Sequence, residues 1–356
     1  MRDLPIPSSS PVSTIAQPDD REGGDVRRSD IGWADFRRLA PPTRAFNHLI
    51  AGQHFDERFG RWPLPPEHPD ALINDVIFAA MIEPHWTPLQ LAFVDKDTAK
   101  AEATRLAPTL RMPDTLAVIP MDAVASPDDL FARLRPFAGM QAVAKPSQAS
   151  GAVTFLRDLS SADDVRLLHQ LAATDYSGVM REMQYRLLPG KVLVEAMVPT
   201  ATPAPPDDYK FHCIRGEPLV CQVDHGRFGR PWSRLLRLPD FAPMDPDDGL
   251  VPPGSLRLPA PDRIAAMIAA ARALAAPFEF VRVDLYDGAD GIYFGEMTFT
   301  PAASLGIAPS IEGDHALNPT HHVYSGILMR ALRRAWAADG HRDGAAVDDP
   351  QRVAAA

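Results

Sequence analysis

The sequence predicts an α+β fold assembled from lobes, on three observations. Strand-like and helix-like stretches follow one another without the strict βαβ alternation that a doubly wound sheet requires. The 37 prolines, about twice the usual ~5% share, fall between those stretches and suit short elements with rigid connections. Near the far end, EFVRVDLYDGADGIYFGEMTFTP (279–301) reads as two apolar strands around a turn, carrying acids where a buried strand should have none.

The elements follow in order. Residues 1 to about 44 are rich in Pro, Ser, Asp and Arg with no apolar period and read as a disordered leader, and 339–356 read as a disordered tail. In the N-terminal region, 45–138, DALINDVIFAAMI (70–82) has apolar residues at helical spacing. LAFVD (91–95) reads as a short strand, KDTAKAEATRLA as a helix and LAVI (116–119) as a strand. At Ser126 the run SPDD offers an N-cap, a proline at the first helical position and early acids.

The middle section opens with the strand QAVAKP (141–146), the small-residue loop SQASG and the strand AVTFLR. A helix capped by residues 160–164 runs through Ala173, and KVLVEAMV (191–198) is an apolar strand. DYKFHCIRGEPLVCQVD reads as a hairpin turning at Arg215–Pro218, and residues 261–277 as a helix. After the acidic hairpin, NPTHHVYSGILMRALRRAWAA closes the body as an amphipathic helix, with His321 and His322 as surface residues at its start.

Composition narrows the function. A hydrophobic content of 46% suits a chain with a packed core, and no run approaches the roughly 18 apolar residues of a membrane helix. MRDLPIPSSSPVST lacks the apolar centre of a signal peptide, so a cytoplasmic location is expected. A net charge of −10 without a basic face argues against a nucleic-acid partner. Cys213 and Cys221 read as buried thiols rather than a disulfide scaffold.

The acidic hairpin holds the densest chemistry. Strand residues two apart share a face, so Arg282, Asp284 and Tyr286 point one way, and Ile292, Phe294, Glu296 and Thr298 share a face on the return strand. A loop from Asp287 to Gly291 pairs Tyr286 with Ile292 and sets Arg282 opposite Glu296. Asp284 is then diagonal to Glu296, at a Cα separation of roughly 7–8 Å that two carboxylates can span through an ion. Buried carboxylates are costly unless a cation satisfies them. Hard oxygen ligands completed by substrate phosphates are what Mg²⁺ prefers; the alternative is an Arg–Asp–Glu cluster that only sets strand register.

AVAKPSQASG is the second constellation. Lys145 at a strand end, before a Ser/Gly loop, suits a phosphate, with the ammonium giving charge and loop N–H groups wrapping the oxygens. The G-x-x-x-x-G-K-[ST] order is absent, and a lysine snorkelling at a strand end is the simpler alternative. Glu195 in KVLVEAMV is either a solvent-facing acid or part of an edge that holds adenine.

Taken in order, these pieces resemble an ATP-grasp enzyme, and more narrowly the TupA-like ATP-grasp family associated with teichuronopeptide and surface-polysaccharide biosynthesis. VDK (94–96) resembles that family's entry motif, KPSQASG (145–151) its phosphate loop, REMQYR (181–186) its aromatic-basic motif and LVEAM (193–197) its hinge. DYKFHCIRGEP (208–218) and VDHGRFG (223–229) resemble its central sheet, and RVDLY with YFGEMTFTP its metal strands.

The resemblance implies an ATP-grasp fold with the nucleotide between a small lobe, 139–200, and a large lobe, 201–338, and it implies ATP and Mg²⁺ as cofactors. Lys145 would touch the ATP phosphates, with Ser150 and Gly151 closing over them. Glu195 and the backbone of Met197 would meet adenine, and Asp208 would meet the ribose or help hold the site. Lys210 and Arg227 would lie along the phosphate and acceptor path, and Arg282 would stabilise the transferred phosphoryl group or the oxyanion that follows. Asp284 and Glu296 would ligate one or two metal ions.

Thr298 stands where most ATP-grasp ligases carry Asn, and its hydroxyl can still ligate the ion or hold its water. Lys100 stands where the family has Arg. The implied activity is ADP-forming ligation of a carboxylate to an amine such as an amino acid, through an acyl phosphate. A kinase acting on a sugar or small metabolite, and a silent nucleotide-binding scaffold, are the other two readings. Asp284→Asn is expected to abolish turnover and leave the fold intact.

Overall fold

Two antiparallel sheets organise the structure, a computed structural model that describes residues 39–149, 151–200, 205–226, 232–244, 256–306 and 319–340. The leader before Leu39 and the tail beyond Gly340 lie outside the described residues.

Helices precede the sheets. α1 (Arg44–Phe59) starts at Thr43, whose hydroxyl accepts the Phe46 N–H, and stops at Gly60 in the left-handed conformation. α2 (Ile73–Met81) fulfils the helical spacing of 70–82. α3 (Pro88–Val94) corrects the reading of LAFVD as a strand. Thr87 accepts the Gln90 N–H, the Gln90 side chain accepts the Thr87 N–H, and Pro88 takes the first position, a reciprocal cap that commits the segment to helix. A short apolar run alone does not separate a strand from a buried helix. α4 (Ala99–Leu106) follows after one turn.

The small sheet has the order β1-β4-β2-β3, from β1 (Thr115–Pro120), β2 (Ala142–Pro146), β3 (Thr154–Phe155) and β4 (Lys191–Ala196). Alternation sorts its residues. Ala142, Ala144, Val192 and Val194 form an apolar layer with α5 (Pro127–Leu134) and α6 (Arg166–Ala173), leaving Val143, Lys145 and Glu195 on the opposite face. The edge strand β1 comes from the stretch before residue 139.

The large sheet has the order β10-β9-β5-β6-β7-β8. Its strands are β5 (Asp208–Ile214), β6 (Glu217–His225), β7 (Trp232–Arg237), β8 (Ala242–Pro243), β9 (Phe280–Gly288) and β10 (Gly291–Thr298). Tyr209, Phe211, Cys213, Val281, Val283 and Leu285 pack on Met267, Ala271 and Leu274 of α7 (Pro261–Ala275). On the other face, Ile214, Val220 and Phe280 pack with α2 and with Tyr324 and Leu328 of α8 (Pro319–Ala338). The rest of that face is polar and carries Asp208, Lys210, Arg282 and Asp284. Both cysteines are free and buried, as expected.

His321 is a further correction. It is buried, and its Nε2 lies 2.8 Å from Asn74 Oδ1 of α2, while His322 is exposed. The helix start is packed against α2, so its first inward-facing position is interior. No described helix is long and apolar enough to cross a membrane.

The acidic hairpin turns over Ala289 and Asp290, and its pairing departs from the expected register. Tyr293 faces Tyr286 and Phe294 faces Leu285; then a β-bulge at Gly295 brings Glu296 directly opposite Asp284 and Thr298 opposite Arg282. The extra residue reverses the alternation. Ile292, Phe294, Met297 and Phe299 all reach the apolar core, and Glu296 and Thr298 join the polar face instead of sharing one with Ile292 and Phe294.

Candidate functional site

The polar faces of the two sheets enclose a cavity of about 400 Å³. One end is fixed by backbone. The Met197 N–H donates to the Gln141 carbonyl (2.9 Å), and the Ala289 N–H donates to the Pro199 carbonyl (2.7 Å), which sets the chain after β4 against the β9–β10 turn. Val143, Ala196 and Val198 make this end apolar. Moving along β10 from Gly291 to Thr298 therefore leads away from that end.

On the small-sheet side, Lys145 Nζ lies 2.5 Å and Lys100 Nζ 2.6 Å from the two oxygens of Glu195. Burial alone would raise the Glu195 pKa, but the two ammonium groups outweigh it and hold the carboxyl below its ordinary range. The loop after β2 is fixed in its first half. The Ser147 hydroxyl donates to Asp95, Gln148 Nε2 donates to the Ala172 carbonyl (2.7 Å), and Gln148 Oε1 accepts the Lys191 N–H (3.2 Å). Gly151 has φ +94 and open space around its α-carbon, a conformation that suits glycine.

Lys96, in the turn between α3 and α4, donates to the Ala149 carbonyl of that loop (2.9 Å) and lines the cavity. Desolvation lowers its pKa below the usual lysine value and Lys145 adds to the effect, while Glu296, Asp95 and Glu195 pull the other way. Lys96 is thus in electrostatic reach of both sheets.

On the large-sheet side the charges interlock. Arg282 forks onto Asp284, Nε to Oδ1 and Nη2 to Oδ2, both at 2.7 Å. Lys210 Nζ lies 2.9 Å from Asp284 Oδ2 and 3.2 Å from Asp208 Oδ2. Burial raises the Asp284 pKa, yet Arg282 and Lys210 overcome it and keep the carboxyl ionised below its usual range. Glu296 is held less tightly: its side chain is 38% exposed, with Arg282 Nη2 at 3.3 Å. Burial raises its pKa, and Lys96 and then Arg282 bring it below the ordinary value.

Three oxygens converge on Arg282 Nη2: Asp284 Oδ2, Glu296 Oε1 and Thr298 Oγ1, the last at 3.1 Å. The donor set is entirely oxygen and its two carboxylates face each other across β9 and β10, which fits a magnesium ion whose shell is completed by substrate phosphates and water. Among the described residues no three His, Cys, Asp or Glu side chains gather as an all-protein cage, and magnesium does not require one.

Of the residues singled out in the sequence, Lys145, Gly151, Glu195, Met197, Asp208, Lys210, Asp284 and Glu296 line one cavity. Arg282 and Thr298 sit against the Asp284–Glu296 pair. Ser150 and Arg227 lie outside the described residues. Sequence reasoning assigned no site role to Lys96, Asp224 or Tyr286, which line the same cavity. Asp224 and Tyr286 alternate with the core residues Val223 and Leu285, and that period was the available signal.

A nucleotide-sized cleft between two antiparallel sheets, with lysines on one wall and paired acids on the other, defines the ATP-grasp class. The TupA-like ATPgrasp family model matches residues 136–317, just over half of the chain, and the chain belongs to that family. No curated protein matches the sequence.

Among solved structures, the ATP-grasp ligase PsnB complexed with minimal precursor is similar at 13% identity and TM-score 0.33, over 69% of this chain and 62% of that one. D-alanine–D-alanine ligase from Bacillus anthracis complexed with ATP matches at 12% identity and TM-score 0.33, over 68% of this chain and 69% of that one. The ADP complex of purK, N5-carboxyaminoimidazole ribonucleotide synthetase, matches at 14% identity and TM-score 0.37, over 61% and 47%. The chain thus spans under two thirds of PsnB's length.

Proposed function

We propose that this protein is an ATP-dependent carboxylate–amine ligase that forms an amide through an acyl phosphate and releases ADP. The observation that carries the reading is the single cavity shared by Lys145 and Lys96 on one side and Asp284 and Glu296 on the other. Adenine sits at the apolar hinge end, beside the Met197 carbonyl and Val198, because the Met197 N–H is already committed to Gln141. Asp208 faces the ribose. Glu195 pairs with Lys145 and Lys100 and so positions both side chains near the phosphates. Gly151 gives the loop the conformation that turns its N–H groups toward anionic oxygens.

Asp284, Glu296 and Thr298 Oγ1 would hold magnesium, which would supply positive charge to the γ-phosphoryl oxygens. Arg282 then faces the negative charge that develops as the phosphoryl group moves to the substrate carboxylate. The end of the loop, residues 151–153, covers the acyl phosphate and keeps water away. Its first half is anchored through Ser147 and Gln148. A role in teichuronopeptide or surface-polysaccharide synthesis, with a uronate or acidic polymer as carboxylate and an amino acid as amine, is the finer reading that the family context supports.

The test supplies ATP, Mg²⁺ and hydroxylamine with uronates, poly-glutamate or amino acids. Hydroxamate with ADP release is expected; ADP release with a phosphorylated acceptor and no hydroxamate would indicate a kinase instead. Absence of Mg²⁺-dependent ATP binding in calorimetry would remove both.

Lys96 gives a separate prediction. Burial lowers its pKa in the free protein, and a polyphosphate beside it restores the charge. ATP binding at alkaline pH therefore takes up protons, seen as a buffer-dependent binding enthalpy. Lys96→Met abolishes the uptake and weakens ATP binding by about ten- to hundredfold, the scale of one charge-assisted hydrogen bond.

A further inference from the structure

The turn between α3 and α4 is tied down at more points than joining two helices requires. Asp95 is buried. Its N–H donates to the Leu91 carbonyl at 3.1 Å and its carbonyl accepts the Ala99 N–H at 2.9 Å, which together make the join. The Asp95 carboxylate also reaches two distant segments. Oδ2 lies 2.8 Å from Lys191 Nζ at the start of β4, and Oδ1 accepts the Ser147 hydroxyl in the loop after β2. Asp97 Oδ2 lies 2.8 Å from the same ammonium. The two partners are joined to each other as well, since the Ser147 N–H donates to the Lys191 carbonyl at 2.9 Å. Asp95, Ser147 and Lys191 thus close a triangle with segments 52 and 96 positions further along the chain.

Lys96 lies inside this frame. Both of its chain neighbours hold one ammonium, and the side chains of the Asp95–Lys191 pair are 8% and 14% exposed. Moving the backbone at Lys96 therefore breaks a shielded ion pair. From that fixed base its side chain donates to the Ala149 carbonyl at 2.9 Å, two residues beyond Ser147, and lines the cavity. Ala149 is its one hydrogen-bond acceptor among the described residues, and an ammonium has three N–H donors, so two are left for a ligand. Tying the turn to β4 needs one aspartate. Two, one on each side of the residue that faces the cavity, fix that residue as well. A lysine stem is flexible, and holding its base and its tip before a ligand arrives lowers the ordering cost of binding.

We propose that Asp95 is a positioning residue for nucleotide binding, an assignment that rests on ATP occupying the cavity as in the reading above. Asp95 is not among the residues that line the cavity and touches no phosphate itself. It acts through Lys96, whose backbone it holds where the ammonium meets both the loop and the phosphates. Its charge works in the opposite direction: a carboxylate one residue from a phosphate-binding lysine repels a polyphosphate. Removing that charge alone would tighten ATP binding, so a loss of affinity reports position.

The test is a double-mutant cycle on Mg²⁺-ATP binding, measured by calorimetry for wild type, Asp95→Asn, Lys96→Met and the double variant. Asp95→Asn is expected to weaken binding about tenfold in the wild-type background, a typical coupling between residues that share one contact. In the Lys96→Met background no weakening beyond about twofold remains, the scatter of independent sites. Equal weakening in both backgrounds marks a structural role and overturns the assignment. Unchanged or tighter binding by Asp95→Asn overturns it too. Thermal melting checks the fold. Where Asp95→Asn melts below the assay temperature, Asp97→Asn, which removes the more exposed contact to Lys191, takes its place in the same cycle, with the same pattern expected and additivity again overturning the proposal. Wild-type protein that binds no Mg²⁺-ATP removes the nucleotide reading and this assignment with it.

Discussion

Glu296→Gln melts with the wild type and turns over ATP about 10²–10³-fold more slowly, the scale of a lost electrostatic contact to the reacting group. Asp284→Asn is as inactive and also melts well below both. The two carboxylates face each other across one pair of strands, yet their surroundings differ. Asp284 is 1% exposed, and it receives both arms of Arg282 as well as Lys210. Removing its charge takes from Arg282 and Lys210 their tightest partner and leaves them the longer contacts to Glu296 and Asp208, a loss of about 3 kcal/mol, the low end for a broken buried pair. Glu296 is 38% exposed and touches Arg282 at only 3.3 Å, so a neutral amide of the same shape costs little. Thermal unfolding of the two variants beside an ADP-release assay checks this. Equal melting temperatures would show that the Arg282–Asp284–Lys210 cluster is not a structural keystone. The sequence alone led to the expectation that Asp284→Asn leaves the fold intact; the burial of Asp284 adds the prediction of a lower melting temperature.

What could be read beforehand was whatever depends on neighbours along the chain. Alternation put Arg282 and Asp284 on one face, and the helices over 70–82 and 261–277 are present as α2 and α7. The stretch 91–95 was lost because its helix depends on a cap one step upstream, at Thr87 and Gln90, outside the apolar run that was read. The grouping of Lys100 with Glu195, 95 positions apart, needs β1 beside β4 and α4 beneath them. Lys96 gains meaning only from its surroundings, since a lysine in a turn is marked by no periodicity. The hairpin register failed for a third reason, since one extra residue in a strand leaves no trace in composition and inverts every side chain after it.

That inversion makes Gly295→Ala the second large effect. A Cβ at this position would lie 2.8 Å from the Asp284 carbonyl oxygen and 2.9 Å from Tyr286 Cε2. The first contact is with backbone in a paired strand, so relief requires β10 to move. If the bulge flattens, Glu296 turns toward the core among Phe294 and Leu285, and Met297 is driven out toward the acids. If it widens instead, Glu296 stays on the polar face but loses its place opposite Asp284. Either response separates the paired carboxylates, and a displacement of about 1 Å at reacting groups costs on the order of 10²-fold in rate. The strain itself costs about 1–3 kcal/mol. Gly295→Ala is therefore expected to approach Glu296→Gln in activity while melting below it, although it alters no charged or ligating atom. Wild-type turnover in this variant would mean that the bulge does not set the spacing of the two acids.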